Sequence, residues 1–109
     1  MTGQCTIALT DSGFDREVLQ SEVPVLVDFW GEGCPPCRQL APAIETLACE
    51  YTGKVKIGKL DVGANPATTM RYQVRTIPML LLFKSGRVLE QRVGAMGRAE
   101  LMKMIEGHL

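Results

Sequence analysis

An apolar run, Val25-Leu26-Val27-Asp28-Phe29-Trp30, leads directly into a Cys-X-X-Cys pair, Cys34-Pro35-Pro36-Cys37, and this junction limits the possible folds more than any other segment. Downstream, Cys37, Leu40, Ala41, Ile44, Leu47, Ala48 and Tyr51 recur at helical spacing, with Arg38, Gln39, Glu45 and Glu50 on the other side. The pair therefore sits where a buried strand becomes an amphipathic helix running from Pro36 to about Tyr51. Pro42, inside that helix, is expected to kink it. Two thiols so spaced can close a disulfide or clamp a metal. At the start of a helix the first sulfur meets the positive end of the dipole, where a thiolate is favoured, so the placement points to thiol redox chemistry.

The rest of the chain narrows the function. With 109 residues, 46% of them hydrophobic, one compact domain spanning 1–109 is expected. Twelve basic side chains balance twelve acidic ones, which gives a nucleic-acid partner little electrostatic support. The N-terminal residues lack the pattern of a secretory signal, and no run approaches the roughly 20 apolar residues that span a bilayer, so a cytoplasmic protein without membrane contact is expected. Four cysteines are too few for a disulfide-stapled secreted domain. A closed metal site wants about four ligands, and beyond the pair only Cys5, Cys49 and His108 remain, none at ligand spacing. No metal is expected within one chain, although a metal shared between two chains, or a non-catalytic docking module, could use the same two cysteines.

Period-2 alternation at Cys5, Ile7 and Leu9 predicts a half-buried first strand. Asp11 or Ser12 is placed to cap a short helix carrying Phe14, Val18 and Leu19. Val55, Ile57 and Leu60 predict a further strand, and Asn65-Pro66 a capped helix reaching Tyr72. Met79 to Phe83 reads as a second buried strand, Lys84-Ser85-Gly86-Arg87 as a turn into a strand over Val88 to Val93. A closing helix turns Leu101, Met104, Ile105 and Leu109 inward. The order β-α-β-α-β-α-β-β-α predicts an α/β fold: a mixed central sheet, parallel in its first half and a hairpin in its second, with helices on both faces.

At this point the chain resembles the thioredoxin family over nearly its whole length. The similarity rests on Val27-Asp28-Phe29-Trp30, the Cys34 to Cys37 pair, Ala41-Pro42, Lys59-Leu60-Asp61, Asn65-Pro66, Thr76-Ile77-Pro78, Leu80 to Gly86 and Val93-Gly94-Ala95. Two residues depart from the family's Trp-Cys-Gly-Pro-Cys: Gly33 stands for the tryptophan and Pro35 for the glycine. The Cys-Pro-Pro-Cys pair is similar to that of tryparedoxins and nucleoredoxin.

The resemblance implies a thioredoxin fold and a protein disulfide reductase, a monomeric electron carrier in cell redox homeostasis. Its redox centre is the Cys34-Cys37 disulfide, with no other cofactor, and a thioredoxin reductase-type donor recharges it. Cys34 is the nucleophile and the more exposed thiol, and Cys37 resolves the mixed disulfide. Asp28, a carboxylate in an apolar strand, should have a raised pKa; the resemblance makes it the proton acceptor for Cys37, acting through water, with Lys59 on the neighbouring strand modulating it. Pro78 matches the family's cis-proline, leaving backbone groups of Thr76 and Ile77 to pair with an extended substrate. Trp30, Gly33, Val62, Val93, Gly94 and Ala95, with Pro35 and Pro36, complete the docking surface. The two prolines lack N–H groups, which leaves the amides of Cys37 and Arg38 to face the Cys34 sulfur. A proline after the first cysteine resembles glutaredoxin, and the expected potential lies above the roughly −270 mV of thioredoxin. Cys5 and Cys49 have no family role and read as filler.

Overall fold

The structure, a computed structural model, describes residues 4–109. Its elements are β1 (Ile7–Ala8), a π-helical segment (Asp15–Leu19), β2 (Val25–Trp30), α1 (Pro35–Glu50), β3 (Lys56–Asp61), α2 (Pro66–Arg71), β4 (Met79–Lys84), β5 (Arg87–Val93) and α3 (Arg98–Glu106). The strands form one five-stranded sheet in the order β1-β3-β2-β4-β5. β1 and β2 run parallel to β3, while β2 with β4 and β4 with β5 are antiparallel. β2 and β4 carry the chain's two most apolar runs because both faces of these central strands are covered.

Alternation along β2 divides the core in two. Leu26 joins Leu80, Leu82 and Ile57 beneath α1 and α3, packed on Leu40, Ile44, Leu47, Leu101 and Ile105. Val25, Val27 and Phe29 face the other way with Leu81, Phe83, Phe14 and Val18. Because strand side chains alternate, Asp28 and Trp30 share the face of Leu26, beneath the helix that carries the cysteines. In register, Asp28 lies between Lys59 of β3 and Leu80 of β4.

Several local expectations are corrected. The first strand is only two residues long and begins after Cys5. The short helix is π-type and starts from Phe14 without a side-chain cap. Asp11 caps a different helix: its carboxylate accepts from the amides of Ala67 (3.1 Å) and Thr68 (2.8 Å) at the start of α2. Asn65 is the N-cap residue of α2 as expected, with Pro66 following, but its side chain makes no cap bond: it accepts from the Asp11 amide (2.9 Å) and donates to the Asp61 carbonyl (3.1 Å). The α2 amides prefer the carboxylate because a charged acceptor gives the stronger hydrogen bond and complements the dipole. Pro42 lies inside α1 without ending it. Leu109 is 57% exposed, beyond the end of α3, rather than packed inward.

Candidate active site

α1 begins at Cys34, whose extended backbone (φ −112°, ψ 95°) makes it the N-cap, with Pro35 and Pro36 in the first turn, where a missing N–H leaves no intrahelical bond unmade. Cys34 and Cys37 are joined as a disulfide with their Cα atoms 5.3 Å apart. The Cys37 amide points at the Cys34 sulfur (N···Sγ 3.2 Å). The Arg38 amide does not share that role: it bonds the Cys34 carbonyl (3.2 Å), closing the first helical turn. One backbone donor, not two, therefore faces the sulfur.

Cys34 and Cys37 are nearly equal in exposure, 8% and 5%. The Cys34 sulfur lies 3.9 Å from the Ile77 carbonyl oxygen. The Ile77–Pro78 peptide is cis, and the Pro78 carbonyl is engaged by the Gly94 amide (2.9 Å). Pro78 is buried, Trp30, Val62, Ile77 and Gly94 are half-buried, and Thr76, Val93 and Ala95 are exposed.

A glycine outside the expected set sits beside Ile77. A Cβ on Gly31 would come within 2.8 Å of Ile77 Cδ1, so a larger residue there would push the tip of the Ile77 side chain aside. Gly31, Val62 and Ile77 line a groove of about 510 Å³ with Glu32, Asp61, Gly63 and Ala64. Gly33 takes φ +72° with open space where a side chain would stand. The Gly31-Glu32-Gly33 spacing is the one signal in the sequence that could have singled out Gly31.

Asp28 is 1% exposed, and its Oδ1 has no hydrogen-bond partner among the described residues. Burial pushes its pKa up to about 6, with Lys59 pulling weakly the other way. The Lys59 ammonium lies 5.3 Å from the centroid of the Trp30 ring, so Asp28, Lys59 and Trp30 form one group on the α1 face. A carboxyl held near pH 6 changes charge within the range where thiol chemistry operates.

The second cysteine pair overturns the filler reading. Cys5 and Cys49 are disulfide-bonded, Cα atoms 5.1 Å apart across 44 positions of sequence. Period-2 alternation puts Cys5 in a strand and helical spacing leaves Cys49 outside the apolar stripe of α1, and neither pattern carries the long-range approach that brings them together.

The thioredoxin family model matches residues 5–107. The chain belongs to the thioredoxin family. It is 45% identical over 101 residues to "Thioredoxin 1" of Nostoc sp., covering 93% of this chain and 94% of that protein. It is 48% identical over 100 residues to "Thioredoxin C-2" of Corynebacterium nephridii, covering 92% and 93%. Membership and the bonded pair together make this a thioredoxin-fold disulfide oxidoreductase with Cys34 and Cys37 as its redox-active dithiol. Among the described residues no helix is long and apolar enough to cross a membrane.

Proposed function

We propose that the protein is a cytoplasmic, monomeric electron carrier that reduces protein disulfides through its Cys-Pro-Pro-Cys site, with no cofactor beyond the Cys34-Cys37 disulfide. The observation that carries this reading is the Cys34 sulfur at the N-terminus of α1, faced by the Cys37 amide. Both favour the thiolate. In the reduced protein Cys34 Sγ attacks one sulfur of the substrate disulfide; the other leaves with the bonding electrons and takes a proton. Cys37, deprotonated by Asp28 through water, attacks Cys34 Sγ, re-forms the disulfide and releases the second substrate thiol. A reductase-type donor returns two electrons and two protons.

The substrate surface in this reading is the rim around Cys34: Trp30, Gly33, Pro35, Pro36, Val62, Ile77, Pro78, Val93, Gly94 and Ala95. An extended segment adds along Thr76 and Ile77, on the open side of the backbone, because Gly94 already holds the Pro78 carbonyl. Lys59 tunes Asp28. The potential lies above that of a typical thioredoxin, toward glutaredoxin. Insulin reduction by dithiothreitol tests the activity: the wild-type protein accelerates precipitation of the insulin B chain, and Cys34→Ser does not. Equal rates with and without the protein would refute it.

A further inference from the structure

The two disulfides stand at opposite ends of one helix. Cys34 is the N-cap of α1, whereas Cys49 lies in its last turn. The dipole that favours a thiolate at the first position opposes one at the second. Local charge acts in the same direction. A Glu45 carboxylate oxygen is 3.8 Å from the Cys49 sulfur, and the Glu45 carboxylate and both sulfurs of the second pair lie within 4.8 Å of one another. Glu50, beside Cys49, is neutralised by Arg98 at 2.5 Å, and Lys59 offsets Glu45 only weakly.

Cys5–Cys49 also holds something in place. Glu45 accepts hydrogen bonds from the Cys5 amide and from the Thr6 hydroxyl (2.9 Å), so a side chain of α1 clamps the segment leading into β1 from both sides of the disulfide. β1 is a two-residue edge strand held to β3 by its ladder, by the Leu9 amide to the Lys59 carbonyl (2.8 Å) and by the buried Leu9 side chain over Gly58, while on the side of α1 the disulfide and Glu45 hold the segment before it. Between β1 and α1 runs a groove of about 630 Å³ whose walls include Thr6, Ala8, Glu45, Lys59 and Trp30. The segment that the clamp holds is thus one wall of the groove that reaches the Lys59-Trp30 group beside Asp28.

We propose that Cys5–Cys49 is a second redox site, harder to reduce than Cys34–Cys37, which remains a disulfide through the catalytic cycle and latches β1 onto α1. Reduction takes place at Cys49, the exposed sulfur of the pair, since Cys5 is half-buried. A dithiol donor attacks Cys49 Sγ as a thiolate; the Cys5–Cys49 bond breaks, and Cys5 leaves with the electron pair and takes a proton. The donor's second thiol then displaces Cys49 and becomes a disulfide, so two electrons and two protons reach the pair. Dithiothreitol in excess is a donor of the required class; the reduced Cys34/Cys37 pair of another copy is the weaker reductant by the gap between the two pairs and leaves Cys5–Cys49 oxidised. Direct transfer within one molecule is excluded, because Cys37 and Cys49 are roughly 18 Å apart along α1 at about 1.5 Å per residue. A disulfide of this kind persists where ordinary exposed pairs are reduced, and its loss frees the N-terminal strand.

The test is a redox titration of the wild-type protein in dithiothreitol buffers, with differential alkylation and mass spectrometry resolving the two pairs. At the ratio that half-reduces Cys34–Cys37, at least nine tenths of Cys5–Cys49 should remain oxidised, and its midpoint should need about a tenfold more reducing ratio, equivalent to about 30 mV. In the fully reduced protein, alkylation rate against pH should put the Cys49 thiol above the free value of about 8.5 and Cys34 below it. Glu45→Gln should lower the Cys49 value and narrow the gap between the pairs. Amides of residues 7–9 should exchange at least tenfold faster with both pairs reduced than with only Cys34–Cys37 reduced. Pairs that titrate together, Cys5 and Cys49 recovered as free thiols from the air-oxidised protein, or a Cys49 pH profile indifferent to Glu45→Gln would overturn the second site. Unchanged exchange in β1 would overturn the latch.

Discussion

Asp28 of β2 and Lys59 of β3 are direct register partners on the α1 face of the sheet, yet the Lys59 ammonium lies against the Trp30 ring rather than on the carboxylate. The acid is left buried with an oxygen unpartnered among the described residues, and the cation moderates its pKa. Lys59→Met removes that moderation while keeping the apolar stem. The Asp28 pKa should then rise further above about 6. Titration of the carboxyl carbon by NMR in the oxidised protein reads the shift, and an unchanged or lower value would remove Lys59 from the site's electrostatics.

Asp11 links two segments distant in sequence by capping α2 while Asn65 binds its backbone. Asp11→Ala leaves the amides of Ala67 and Thr68 without a carboxylate and should destabilise the protein. Loss of the cap should lower the urea midpoint with little change in slope. A midpoint equal to the parent's would mean that water replaces the carboxylate at no cost.

The strands and the cysteine helix were legible because their signals are local: alternation, helical spacing and a proline pair at a helix start. β2, α1, β4 and the β4–β5 hairpin follow from such patterns within a few residues. The misreadings share one physical cause. Asp11 near Ser12 looks like a cap for the nearest helix, but the amides it satisfies are more than fifty positions away. Cys5 and Cys49 are unremarkable singly and become a pair only when β1 is laid beside α1. Gly31 matters through a close approach of Ile77, which no local pattern encodes. Asp28 was legible because a carboxylate in an apolar strand is conspicuous wherever that strand packs.

Gly33 stands where the family carries tryptophan, and its φ of +72° bears on restoring it. Gly33→Trp has room for its side chain, but a non-glycine residue in the left-handed region costs about 1–2 kcal/mol. The variant should therefore be less stable by about that amount while its KM for a protein disulfide falls, since the indole adds apolar contact beside Cys34. Stability and KM should be measured on the same preparation. An unchanged KM would exclude position 33 from the recognition surface.

The order of attack is read from paired cysteine variants. Cys37→Ser should accumulate a mixed disulfide at Cys34, because the resolving thiol is gone, while Cys34→Ser should neither reduce nor trap substrate. In the reduced wild type, Cys34 should be alkylated faster than Cys37 at pH 7, since its sulfur is the one at the helix terminus. Equal trapping by both variants would contradict the assigned roles.

Asp28 joins stability to mechanism, and the sign follows from its two ionisation states. The folded pKa of about 6 lies above the reference of 3.8, so the folded protein binds the proton more tightly than the unfolded chain. The stability this contributes is complete below the unfolded value, falls as pH rises between the two values, and is gone above the folded one. A difference of about two units at 1.36 kcal/mol each sets the full loss at about 3 kcal/mol. Asp28→Asn cannot ionise and keeps the shape, although its amide brings a buried donor that offsets part of the gain. The variant should therefore match or trail the parent at pH 4 and exceed it by about 1–3 kcal/mol at pH 8. The same change removes the proton acceptor for Cys37, so release of the mixed disulfide should slow by about 10²-fold or more. Chemical denaturation of the oxidised protein at both pH values and stopped-flow reduction should be run on one preparation. A variant less stable than the parent at pH 8, with unaltered release kinetics, would leave Asp28 as a buried structural acid with no part in the chemistry.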